Sequence, residues 1–201
     1  METYRSYEKK GLSYSRICRL FLAGALLVWL IRFAVAAVTI IWLCGQPESA
    51  IQLTETENAY RFDMILGYAQ CGWEHLPGGA EIVSSKRFCI VFVFFSSITR
   101  ELPVLLLLGY LRRILNVIRD SHSPFVSQTA EYTGKIGWLL VLTGVFGKWI
   151  FQMGMGLLVY HQPYFVNPLE FSWIFAGVIV LLTSDILRWG CELQEFSDET
   201  L

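Results

Sequence analysis

The chain has 201 residues, of which 54% are hydrophobic and 16% charged, with a formal net charge of −1. A soluble domain is about 45–50% apolar and about 25% charged, so this balance excludes an ordinary water-soluble globule. Near-neutrality, with no basic arm and no helix-turn-helix signature, also excludes direct nucleic-acid binding.

Four apolar runs organise the chain: Leu20–Cys44, Phe88–Leu111, Ile136–Tyr160 and Phe171–Trp189. About 20 mostly apolar residues cross a hydrocarbon core of roughly 30 Å. The runs therefore predict an all-α integral membrane protein, a single four-helix domain over 1–201, with the lipid bilayer as its surroundings. The first run has a basic flank (Arg5, Lys9, Lys10, Arg16, Arg19) like that of a signal peptide. It outlasts the usual apolar core of about 7–15 residues, and Arg32 interrupts it before any small-residue cleavage site. It reads as a retained span.

Lys and Arg number five in 1–19, four in 112–135, three in 45–87 and none in 161–170. Cytoplasmic segments hold the Lys/Arg excess, so both termini and the 112–135 connector are predicted inside, with 45–87 and 161–170 outside. The outer loop is acidic. Within it, Tyr60, Met64, Ile65 and Tyr68 have the spacing of a short amphipathic helix over Asn58–Tyr68, and Pro77-Gly78-Gly79 marks a turn. The loop reads as a connector packed on the bundle mouth, with ligand sensing as the alternative.

Past the second run, Ile114, Leu115, Val117 and Ile118 keep helical spacing, which extends that helix about two turns beyond the membrane. Ser123 precedes Pro124 and is biased to extended backbone, so the helix should stop there. Phe125 is expected to tuck against the bundle, and a new helix to begin near Ser127 or Thr129.

Charges interrupt the apolar runs. Arg32, Arg100, Glu101 and Lys148 fall near mid-span, and Asp185 lies nearer the inner face. A charge at the bilayer centre costs at least about 2.5–3.5 kcal/mol on insertion scales. Glu101 is therefore expected to pair with Arg32 or Lys148, with Asp185, backbone carbonyls, a bound anion or a lipid headgroup offsetting the remaining cations. Pro103 removes a backbone hydrogen bond just beyond the Arg100–Glu101 step and predicts a kink there. These charges are either polar glue between helices or a relay, substrate site or switch. Gly144, Gly147, Gly154 and Gly156, with Ala34, Ala36 and Ala37, permit close helix approach, within one chain or in a homo-oligomer.

Five cysteines (Cys18, Cys44, Cys71, Cys89, Cys191) form no CxxC pair and no Cys/His cluster, so zinc and thioredoxin-like chemistry are excluded. A disulfide among Cys44, Cys71 and Cys89 is one reading; small apolar residues at helix ends is the other. The three histidines fall in separate loops and make neither a metal site nor a catalytic dyad. No HExxH, GxSxG or P-loop occurs. Neither an enzyme nor a cofactor is expected.

The tail Arg188–Leu201 is acidic, opposite in sign to the 112–135 connector, so the two can pair at the inner surface. Its residues carry a resemblance. Tyr110, Leu111, Ile114, Ser123-Pro124-Phe125, Ile136-Gly137-Trp138, Arg188, Gly190, Glu192-Leu193-Gln194, Asp198, Thr200 and Leu201 resemble the signature of a family of uncharacterised bacterial four-span membrane proteins. That family has an inner-loop SPF element and an RxGxELQxxxDxT[LV] tail. The resemblance implies a bacterial inner-membrane protein. Many such proteins are encoded beside a small helix-turn-helix regulator, which implies a cytoplasmic transcription regulator as partner. It assigns no role to Arg32 or Lys148. Two functions follow as expectations: a binding or regulatory subunit docking its partner on the connector and tail, or a small transporter, channel or toxin-immunity protein using the intramembrane charges.

Overall fold

The computed structural model describes residues 2–57, 59–72, 82, 84–121, 123, 125–162 and 166–199, with side chains from 17 to 197. Among the described residues there are five α-helices: α1 (Glu2–Gly45), α2 (Ser85–Ser96), α3 (Leu102–Ser121), α4 (Ser127–Met155) and α5 (Phe171–Glu199). A π-helical turn, Ser97–Glu101, joins α2 to α3, and another, Gly156–Tyr160, ends α4. Four helical segments are long and apolar enough to cross a membrane: Ile17–Gly45, Ser85–Ser121, Ser127–Tyr160 and Phe171–Ser197. The protein has an all-α, multi-pass membrane fold, and each expected run lies inside one of these segments.

The chain divides into two compact units. The sheet unit comprises Leu30–Pro103 and Leu142–Ile174. The tail unit comprises Met1–Trp29, Val104–Val141 and Phe175–Leu201.

In the sheet unit, three antiparallel strands follow α1 in the order β1 (Thr54–Thr56), β2 (Ala59–Asp63), β3 (Tyr68–Gly72). Thr56 faces Ala59 in the first pair, and Asp63 faces Tyr68 in the second. This corrects the expected Asn58–Tyr68 helix. The helical reading joined Tyr60 to Met64 and Ile65. The strand reading instead puts Tyr60 and Phe62, two residues apart, on one face. Gly67, at φ 86, closes the β2–β3 turn, where the Met64 N–H donates to its carbonyl at 3.0 Å. That left-handed backbone favours glycine. The Arg61 guanidinium lies 3.7 Å from the centroid of the Tyr68 ring.

The inner face of the sheet seats on α2 through aromatics. Phe62 meets Phe88 and Phe92 edge-on at 6.4 and 5.8 Å, Tyr60 meets Phe88 at 5.9 Å, and Phe92 meets Phe151 at 5.7 Å. Such edge-to-face pairs add about 0.5–1.5 kcal/mol beyond area burial. Cys71, Cys89 and Met155 are fully buried in the same core. All five cysteines are free thiols.

Two ends are tied by side chains. Lys86 Nζ donates to the carbonyls of Cys44 (2.8 Å) and Gln46 (2.7 Å), capping the C-terminus of α1, where a cation complements the helix dipole. Ser84 caps α2 by accepting from the Arg87 N–H.

In the tail unit, α4 and α5 meet over small residues. A Cβ on Gly177 would stand 2.8 Å from the Gly137 carbonyl and from the Val141 amide. Ser184, nearly fully buried, donates to the Ala130 carbonyl at 2.7 Å. Glycine here is a condition of approach, as in close-packed membrane helices. The α4 glycines expected to serve packing belong to the sheet unit, and they divide. Gly144 and Gly154 would clash at 2.7 Å with Ile174 and 2.4 Å with Phe95, whereas Gly147 has room.

Candidate functional site

The intramembrane charges lie mainly in the sheet unit, and the π turn sets their geometry. Pro103 has no N–H, and the backbone ahead of it widens. The Leu102 N–H reaches back five residues to the Ser97 carbonyl. Isolated π turns inside α-helices recur at functional positions. This one ends on Arg100 and Glu101.

Glu101 is turned inward, with its side chain 15% exposed, and Arg32 Nη2 donates to its Oε1 at 2.9 Å. This is the expected pairing, with Arg32 as the partner. The other carboxylate oxygen, Oε2, is buried and accepts no hydrogen bond from any described residue. Arg32 lies on the packed edge of α1, followed on the same face by Ala36, Thr39 and Leu43, all buried. Its own side chain remains 59% exposed.

At about 1.5 Å per helical residue, Arg32 lies roughly 20 Å from the end of α1 at Gly45. Glu101 lies roughly 24 Å from Ser85, and Lys148 roughly 18 Å from Tyr160. The three share a level deep in the membrane. An ideal Cβ on Gly147 stands 3.7 Å from the Thr99 carbonyl, so α4 touches the π turn there. Arg100 and Lys148 are each one residue past that contact. Arg100 is exposed and Lys148 half-buried, and among the described residues neither has an ion-pair partner. Asp185 belongs to the tail unit and is exposed on α5.

The motif residues gather in the tail unit. α3 stops at Ser121 and α4 starts at Ser127, as the proline argument requires. The Ser121 hydroxyl donates to the Val117 carbonyl (2.7 Å) and lies 2.8 Å from the Ser123 carbonyl. Ser123 Oγ accepts from the Phe125 N–H at 3.2 Å. That tight turn folds Phe125 back onto α5, where a Cβ on Gly190 would lie 2.4 Å from the Phe125 ring. The SPF element and the tail element are thus in direct contact. Arg188, Glu192, Leu193 and Gln194 are exposed on α5. Pro124 and the side chain of Asp198 lie outside the described residues.

The expected pairing of basic connector with acidic tail is not made among the described residues. Arg119 bonds its neighbour Asp120 at 2.7 Å, and Lys135 pairs with Glu131 one turn away. Arg113 lies 5.9 Å from the ring centroids of both Tyr110 and Tyr132. Short local partners within one turn or one ring contact outcompete longer reaches to the tail carboxylates.

Two ordering residues were not singled out from sequence. Gln152, fully buried on α4, donates to the Val166 carbonyl at 2.8 Å and accepts from its N–H at 3.1 Å. It thereby fixes the α4–α5 turn as a paired strand would. Lys86 counted only toward topology, yet it caps α1. A buried-face glutamine inside an apolar run was the available signal for the first. Burial pushes the Cys71 thiol up to about 12, opposed by the nearby Arg100 cation. Among the described residues, no group of three His, Cys, Asp or Glu side chains is placed to hold a metal.

No protein-family model, no curated protein and no solved structure matches this chain.

Proposed function

We propose that this chain is a binding or regulatory subunit of a bacterial inner membrane, and that it holds a cytoplasmic partner on the surface formed by the 112–135 connector and the tail. The Phe125–Gly190 contact carries this reading. It joins two motif segments far apart in sequence into one face. The same face offers Leu193, exposed beside Glu192 and Gln194 on a helix that continues to Glu199. Leu193 and its polar neighbours give α5 an apolar residue that an apolar groove on a helical partner can take, in the helix-in-groove mode of recognition. The partner implied by the resemblance is a small helix-turn-helix regulator, whose basic DNA-binding surface complements Glu192 and Glu195. Crosslinking with mass spectrometry in native membranes tests the reading. Crosslinks from the tail to a small DNA-binding protein are expected, and crosslinks confined to this chain oppose it.

A second reading, transport or toxin immunity, draws on the half-satisfied Glu101 carboxylate. Under it, Glu101→Gln and Lys148→Met abolish flux or protection while the protein remains folded in the membrane.

A further inference from the structure

The sheet unit holds Arg32, Arg100 and Lys148 against one carboxylate, Glu101, at one level of the membrane. Glu101 is committed to Arg32 at 2.9 Å and is largely enclosed. The Thr99–Gly147 contact places Arg100 and Lys148 each one residue past the point where α4 touches the π turn, and among the described residues neither has an ion-pair partner. Like charges so placed repel each other, and each is costly in hydrocarbon without a counter-charge. Neutralisation by an enclosed small ion does not suit this geometry, because Arg100 is exposed and Arg32 is 59% exposed. Arg100 is exposed and Lys148 half-buried, so neither is closed off from what lies beside the helices.

We propose that Arg100 and Lys148 form an intramembrane docking site for a second protein's transmembrane helix, one that carries a carboxylate near its middle. The carboxylate seats between the two cations and completes the charge balance of the level. Charge complementarity selects the occupant, and burial from water and lipid makes the pairing strong. This site uses different residues from the connector and tail face, and it stands or falls separately.

The test uses the full chain reconstituted in phosphatidylcholine vesicles with a synthetic Leu/Ala transmembrane peptide bearing one central Asp. Control peptides carry Asn or Leu at that position, and association is read by energy transfer. The Asp peptide is expected to bind at least about tenfold more tightly than the Asn peptide, a difference of about 1.4 kcal/mol. Arg100→Leu/Lys148→Met should remove the preference, and Arg100→Lys/Lys148→Arg should keep it. If the double-neutral chain fails to fold, the single variants Arg100→Gln and Lys148→Gln should each reduce it. Equal binding of Asp and Asn peptides would overturn the proposal. So would an Asp preference that survives both single variants, or self-association of the chain that the Asp peptide does not displace.

Discussion

Replacing Glu101 with Gln removes the carboxylate that Arg32 meets at 2.9 Å, with little change in shape. The guanidinium is then left deep in the span without that anion. Breaking a fully buried pair costs about 3–5 kcal/mol, and an isolated cation at the bilayer centre costs at least about 2.5–3.5 kcal/mol. Arg32 is 59% exposed, so its head can move toward polar surroundings, and the lower figure applies. The expected loss is about 2.5 kcal/mol, roughly 70-fold in the folding equilibrium. The assay is reversible unfolding in bicelles for the native chain, Glu101→Gln, Arg32→Met and the double variant. The double variant should cost less than the two singles combined, by about 1–2 kcal/mol, because it removes both charges. The exchange Arg32→Glu/Glu101→Arg should recover part of the loss. Additive single effects, or a Glu101→Gln cost below about 0.5 kcal/mol, would refute the pairing argument.

Gly190→Ala places a Cβ 2.4 Å from the Phe125 ring. It should cost about 1–3 kcal/mol and raise amide exchange at Ser123, Phe125 and Val126, and Phe125→Ala should relieve most of that cost. Gln152→Leu leaves the Val166 N–H and C=O without their side-chain partner. At about 1–3 kcal/mol per buried orphan group, exchange at Val166 should rise at least tenfold. Cys71, with its thiol pushed up to about 12, should resist maleimide at pH 8 while the exposed Cys18 and Cys44 react. Its folded value lies above the ordinary 9.0. The stability it contributes is therefore whole below pH 9 and is lost as pH climbs toward 12, a slope that Cys71→Ala should remove.

The helices were legible because apolar length and proline placement are local signals. Pro124 and Ser123 marked the α3–α4 break, and Leu20–Cys44 alone implied a span. The Arg32–Glu101 pair was legible because a mid-span carboxylate has few affordable partners. The sheet was not. Over Ala59–Tyr68 the same apolar residues satisfy a helical or an alternating pattern, and the choice is made by Phe62 and Tyr60 packing on Phe88 and Phe92, which are distant in sequence. The glycine contacts divided for a similar reason. Gly144 and Gly154 are crowded and Gly147 is not, and that depends on what the facing element presents. The contact of Phe125 with Gly190 was half-visible: a ring expected to tuck inward, without the glycine that receives it.

The proposed docking face is built around that contact of Phe125 with Gly190. The most direct test is a photo-crosslinking residue at position 194, on the exposed side of α5, activated in native membranes and read by mass spectrometry. The expected result is an adduct with a small soluble DNA-binding protein that disappears in Gly190→Leu, while Gly190→Leu protein still reaches the membrane. Adducts to lipid or to the chain itself alone, or a DNA-binding-protein adduct untouched by Gly190→Leu, would contradict it.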